Sequence, residues 1–154
     1  MTDVVCPEVR SRMMSGIRSK DTKPELAIRK GIFARGFRYR LHVRELPGKP
    51  DMVLPKHRAI IFVNGCFWHG HNCALFKWPS TRVNFWRTKI NRNRIVDAAA
   101  KSKLSGLGWR VLTVWECALK GKGREGPEAI SKAIAEWLAA GDSLYEIRGI
   151  VGKA

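Results

Sequence analysis

A chain of 154 residues, 45% of them hydrophobic, can bury one real core and is read as a single self-sufficient domain. Its formal charge is +16 and its isoelectric point is near 10.4, with Lys and Arg spread over Arg10 to Lys122, so the expected partner is a polyanion, nucleic acid ahead of an acidic membrane surface; a merely solvated basic surface is the alternative. No apolar run approaches the ~18 residues of a membrane span and the first 20 residues lack the apolar core of a signal peptide, so a cytoplasmic protein is expected.

Residues 1–20 are basic, with Arg10, Arg12, Arg18 and Lys20 around Met13, Met14 and Ile17, and without core-helix periodicity. They read as an arm laid along DNA, cations on phosphates and Met14 or Ile17 wedged between base steps, or else as a disordered basic tail. Thr22-Lys23-Pro24-Glu25 is a capping box that starts a helix. That helix is expected to bury Leu26, Ile32 and Phe33 and to stop at Gly36. Phe37 to Leu41 predicts a strand, and a Pro-Gly turn leads to Pro50-Asp51 and the apolar Met52-Val53-Leu54. Ala59 to Val63 reads as a buried strand. Pro79-Ser80-Thr81 offers cap chemistry before two helical stretches, Val83 to Ile90 around Trp86 and Arg94 to Leu104, closed by Gly106-Leu107-Gly108. Trp109 to Trp115 predicts a strand ended by Glu116-Cys117. Pro127 opens an amphipathic helix with Ile130, Ile134, Trp137 and Leu138 on one face. Helices alternating with strands predict an α/β or α+β layer structure, with the Asp51 and Cys66 segments beside the Cys117 strand.

The buried strand empties into Asn64-Gly65-Cys66-Phe67-Trp68-His69-Gly70-His71-Asn72-Cys73, a mixture of metal ligands, imidazoles and aromatics that core packing does not ask for. Four cysteines in a cytoplasmic basic chain argue against disulfides and toward zinc or reduced core thiols. Cys66, His71 and Cys73 lie close in sequence, and Cys117 at a strand end would complete a Cys₃His tetrahedron, leaving Cys6 as a free thiol. Zinc there would pin Phe67, Trp68 and His69. His69 then falls near Asp51, the arrangement for a carboxylate-held Mg²⁺ with a nearby base; taken singly, His69 as a ligand or surface group and Asp51 as a turn former are the competing readings.

Pro50-Asp51, Ile60-Ile61-Phe62, Gly65-Cys66-Phe67-Trp68-His69, His71, Cys73, Gly108-Trp109-Arg110-Val111-Leu112 and Val114-Trp115-Glu116-Cys117 together resemble the very short patch repair (Vsr) endonucleases from about Met14 to Leu119. The resemblance implies a restriction-endonuclease-like fold, a central mixed β-sheet flanked by helices with a structural zinc site, over residues 21–154, preceded by the DNA-binding arm 1–20. It implies a monomeric enzyme that nicks one strand of double-stranded DNA 5′ to the thymine of a T:G mismatch left by deaminated 5-methylcytosine, and hence a cytosine methyltransferase as companion. Residue by residue, it makes Asp51 the Mg²⁺ carboxylate, His69 the general base, Glu25 a supporting acid, and Cys66, His71, Cys73 and Cys117 the Zn²⁺ ligands. Phe67, Trp68 and Trp86 become aromatics entering the duplex, with Met14 and Ile17 reaching in from the other side. The chain departs from the family where Val63 replaces a common Thr, which leaves only a main-chain carbonyl for the metal, and where Asn64, Gly70 and Asn72 interrupt a fuller histidine run. A non-catalytic zinc-stabilised DNA-binding protein and a nuclease for matched DNA are the rival readings.

Overall fold

The computed structural model describes residues 22–121 and 123–149. Helix α1 spans Lys23–Ala34, β1 Arg40–Leu41, β2 Met52–Leu54, β3 Ala59–Asn64, α2 Val83–Gly106, β4 Arg110–Trp115, α3 Pro127–Ala140 and β5 Leu144–Ile147. The five strands form one mixed sheet in the order β1-β2-β3-β4-β5. The first three run antiparallel to their neighbours, whereas β3, β4 and β5 are parallel, each parallel pair joined by a helical crossover.

Strand β3 explains why the sheet has helices on both faces. Ala59 and Ile61 pack with Met52, Leu54, Leu112 and Val114 against Ile28 and Ile32 of α1 and Ile130, Ile134, Trp137 and Leu138 of α3. Ile60 and Phe62 point the other way, with Val53 and Val111, onto Leu104 of α2. A strand covered on both sides needs apolar residues at every position, and five of its six residues are buried. The α1–α3 contact is close because Gly31 has no side chain: a Cβ there would lie 1.8 Å from Ser131 Oγ.

Several local expectations are corrected. The Thr22 hydroxyl caps α1 by accepting from the Glu25 amide at 3.4 Å, and Gly36 follows the helix end at φ 94 as predicted. However, Leu26 and Phe33 are exposed and Ile28 and Glu25 are the buried partners of Ile32, because the face turned to the sheet is set one residue away from the one with the most carbon. Of the predicted strand from Phe37, only Arg40 and Leu41 pair. The two helical stretches after Pro79 are one 24-residue helix, since nothing between Ile90 and Arg94 breaks the turn, and its N-cap is Arg82, in the left-handed region and without a side-chain capping bond of its own. Strand β5 went unread: its Leu144 and Tyr145 are exposed, so it carries little apolar pattern.

A candidate active site and metal centre at one end of the sheet

Register places the cysteines. β3 and β4 are parallel with Asn64 opposite Trp115, and Cys66 and Cys117 each follow two residues later, so they emerge side by side. The loop folds back through His71 N–H to the Cys66 carbonyl (2.9 Å) and Cys73 N–H to the His71 carbonyl (2.9 Å). Ligand atoms of Cys66, His71, Cys73 and Cys117 then all lie within 4.8 Å of one another. His71 Nδ1 is 3.5 Å from Cys66 Sγ and 3.6 Å from Cys117 Sγ. Amides of Cys117 and Gly149 each point at a sulfur, Cys66 Sγ and Cys117 Sγ, at 3.3 Å. Burial, reinforced by the neighbouring sulfurs, raises the Cys66 and Cys117 thiols above their usual range, and burial with the Arg148 charge lowers His71 to about 4. A neutral imidazole and three crowded sulfurs, two of them receiving amide N–H bonds, are the donor set a tetrahedral Zn²⁺ requires, so the residues fit that ion.

Asp51 stands one residue before β2, beyond the Met52–Ile61 pair, at the same end of the sheet. The Val63 amide donates to its Oδ2 at 2.7 Å. Its carboxylate clusters with Glu25 of α1 and with His42, ligand atoms again within 4.8 Å. Burial, with the nearby Glu25 charge, pushes Asp51 up to about 7 against the opposing pull of the Val63 amide and His42. Two carboxylates and an imidazole so crowded fit a divalent cation.

His69 reaches the same place from the loop that carries Cys66 and His71. Asp51, Val63, Asn64 and His69 line one cleft of about 610 Å³, whose other walls carry His42, Asp97 and the cations Arg44, Lys49 and Lys101. His69 Nδ1 bonds Asp97 Oδ2 of α2 at 2.5 Å. A carboxylate only accepts, so Nδ1 carries the proton and Nε2 is left with the lone pair in the neutral ring. The expected pairing of Asp51 with His69 is thus a shared cleft, while Glu25 joins Asp51 from below.

Three features of the site escaped the sequence. Asp97 lies 28 residues from His69 and only the packing of α2 brings it there. The same helix ties down the loop through Asn93 Nδ2 to the Trp68 carbonyl (2.7 Å) and Arg94 to the Gly70 carbonyl. His42, at φ 49 after β1, carries no local signal at all. Phe67, Trp68 and Trp86 are brought together, with ring centroids 5.3 to 5.8 Å apart, but unequally exposed: Trp86 is 5% exposed and the other two are half-buried. Met14 and Ile17 lie outside the described residues.

A model of the family described as DNA mismatch endonuclease Vsr matches residues 2–75. Over 138 residues, 90% of this chain and 88% of the relative, the sequence is 43% identical to the DNA mismatch endonuclease Vsr of Escherichia coli. The chain belongs to the Vsr family. Type II nicking enzymes are also among its relatives: one from Xanthomonas oryzae is 46% identical over 80% of this chain and 90% of its own length, and one from Neisseria meningitidis is 43% identical over 79% and 87%. Among the described residues no helix is long and apolar enough to cross a membrane.

Proposed function

We propose that this Vsr-family chain is a DNA endonuclease that nicks one strand 5′ to the thymine of a T:G mismatch, with Asp51, Glu25 and the Val63 main-chain carbonyl holding Mg²⁺ and His69 as general base. The observation that carries the reading is the His69–Asp97 pair facing the Asp51 carboxylate across one cationic cleft. Asp97 holds the ring so that Nε2 takes a proton from the attacking water. Arg44, Lys49 and Lys101 grip the phosphates on either side. A strand residue sends its N–H and C=O to the same edge, so the Val63 carbonyl leaves β3 on the side where its amide meets Asp51. A bound Mg²⁺ supplies Lewis-acid stabilisation of the phosphoryl charge.

Zn²⁺ on Cys66, His71, Cys73 and Cys117 keeps the loop in shape. Phe67 and Trp68, backed by Trp86, are set next to His69 on that loop, where stacking recompenses the unstacking of a step, and a mispaired step is the cheaper one to open. Met14 and Ile17 of the arm serve the opposite face of the duplex. Acting at T:G pairs from deaminated 5-methylcytosine as a cytoplasmic monomer, the enzyme has a cytosine methyltransferase as its functional companion.

A second reading, cleavage at a recognition sequence in matched DNA, draws on the relatives named nicking enzymes with no mention of a mismatch. Incubating zinc-replete protein and Mg²⁺ with matched and T:G duplexes of one sequence decides. A nick confined to the thymine strand of the T:G duplex is the expected result. Cutting of both duplexes supports the second reading, and binding without a cut leaves a non-catalytic DNA-binding protein.

A further inference from the structure

The two carboxylates of the site have a third neighbour, His42, whose amide donates to the Asp51 main-chain carbonyl at 3.1 Å. Its Nε2 stands 3.2 Å from Glu25 Oε2 and 2.9 Å from Arg29 Nη2. The same Arg29 nitrogen is ion-paired with Glu25 Oε2. A guanidinium nitrogen only donates, so His42 Nε2 accepts from it and turns a lone pair toward the point that Glu25 Oε2 also faces. One positively charged group therefore sits between an imidazole nitrogen and a carboxylate oxygen. Two ligands at right angles on a dication, each bonded at about 2.1 Å, stand about 3 Å apart, and these two atoms are 3.2 Å apart. Glu25 is 1% exposed, so its charge must be met by a cation of some kind. Arg29 fills the place that a metal ion would take.

We propose that Glu25, His42 and Asp51 form a mixed nitrogen–oxygen site for the divalent cation, with His42 Nε2 as a direct ligand and the Arg29 guanidinium as the group that the cation displaces, so that the site takes Mn²⁺ more tightly than Mg²⁺. The proposal rests on the reading of Asp51 as the metal carboxylate and adds the selectivity of that site. Mg²⁺ favours oxygen ligands and keeps much of its water. An imidazole donor shifts the balance toward transition-metal dications. Arg29 opposes every cation alike, since its charge must leave contact with Glu25 before the ion enters.

Full-length protein, zinc-loaded and free of DNA, is titrated calorimetrically with Mn²⁺ and with Mg²⁺, and the Mn²⁺ adduct is examined by pulsed electron paramagnetic resonance for coupling to an imidazole ¹⁴N. Expected are one Mn²⁺ per chain with that coupling, and a dissociation constant about tenfold below that of Mg²⁺. His42→Gln should lose the ¹⁴N coupling and most of the preference, His69→Gln should keep both, and Arg29→Gln should tighten both cations several-fold. An Mn²⁺ adduct of the unmodified protein without ¹⁴N coupling overturns the proposal without any variant needing to fold. So does an unchanged Mn²⁺ to Mg²⁺ ratio in a zinc-replete His42→Gln, or weaker binding in Arg29→Gln. If Asp51→Ala abolishes cation binding and nicking while His42→Gln changes neither, the endonuclease reading stands and the His42 ligand falls. A coupled Mn²⁺ in protein that cuts no duplex leaves the site standing and removes the endonuclease reading.

Discussion

Trp68 and Trp86 touch within one aromatic cluster, yet their exposure assigns them different costs. Trp86, 5% exposed beneath Phe67 and Phe85, should lose about 3–5 kcal/mol of folding stability on truncation to Ala. Trp68, half-buried with its main chain held by Asn93, should give up far less stability and instead weaken T:G duplex binding by roughly 1–3 kcal/mol. Melting temperature and duplex affinity measured on both variants check this; a Trp68→Ala protein that melts as early as Trp86→Ala while keeping its mismatch preference would remove the stacking role. Asp97→Asn keeps a hydrogen-bonding group beside His69 Nδ1 but can favour the wrong tautomer. It should lower the nicking rate by roughly 10²-fold or more with little change in melting or in duplex affinity.

Asp51 also has a pH signature. Its carboxyl is raised from 3.8 to about 7, so the folded, cation-free protein binds a proton there that the unfolded chain has already released. The stabilisation is complete below about pH 4 and is lost as the pH rises through about 7. In chelator-treated protein the stability of the native chain relative to Asp51→Asn should therefore fall across that window. A difference that stays flat with pH would show that Asp51 is not held protonated.

Among the elements, the loop after β3 is fastened from three sides. The Cys117 amide at the end of β4 donates to Cys66 Sγ at 3.3 Å, Arg148 beyond β5 donates to the Asn72 carbonyl, Glu116 Oε1 accepts from the Cys66 amide at 3.1 Å, and Asn93 and Arg94 hold it on α2. His71 also stacks on Trp115 of β4 with ring centroids 3.9 Å apart. On the proposed zinc assignment, replacing Cys117 by Ser removes one of four donors and leaves the other three crowded without an ion, so zinc content and melting temperature should fall together. Full zinc occupancy in that variant, read by metal analysis, would refute the ligand assignment. Asp51→Ala, on a different strand, should keep zinc and fold while nicking is lost.

For the whole molecule the dominant property is a charge of +16, with Arg44, Lys49 and Lys101 brought to the cleft. Duplex affinity should fall linearly in log–log terms with salt. A footprint of 6–10 phosphates would cost about 10³–10⁵ in affinity between 50 and 200 mM. Fluorescence anisotropy over that range measures the slope, and a slope near zero would exclude phosphate contacts as the source of binding.

What the sequence determined by itself is local or periodic. The Thr22 cap, the α3 stripe and the apolar run of β3 depend on neighbours a few residues away, and they stand where their chemistry puts them. Cys66, His71 and Cys73 stood out because such donor chemistry is rare and clustered, and Cys117 because it closes a strand; the fold brings the ligand atoms of all four within 4.8 Å of one another. Tertiary structure alone decided the rest. Which face of α1 is buried depends on how that helix lies on the sheet and on α3. Asp97 and His42 are ordinary polar residues along the chain, and each acquires a role only where packing sets it within hydrogen-bonding distance of His69 or Glu25. Long-range contacts of single side chains leave no period and no spacing for a sequence to display.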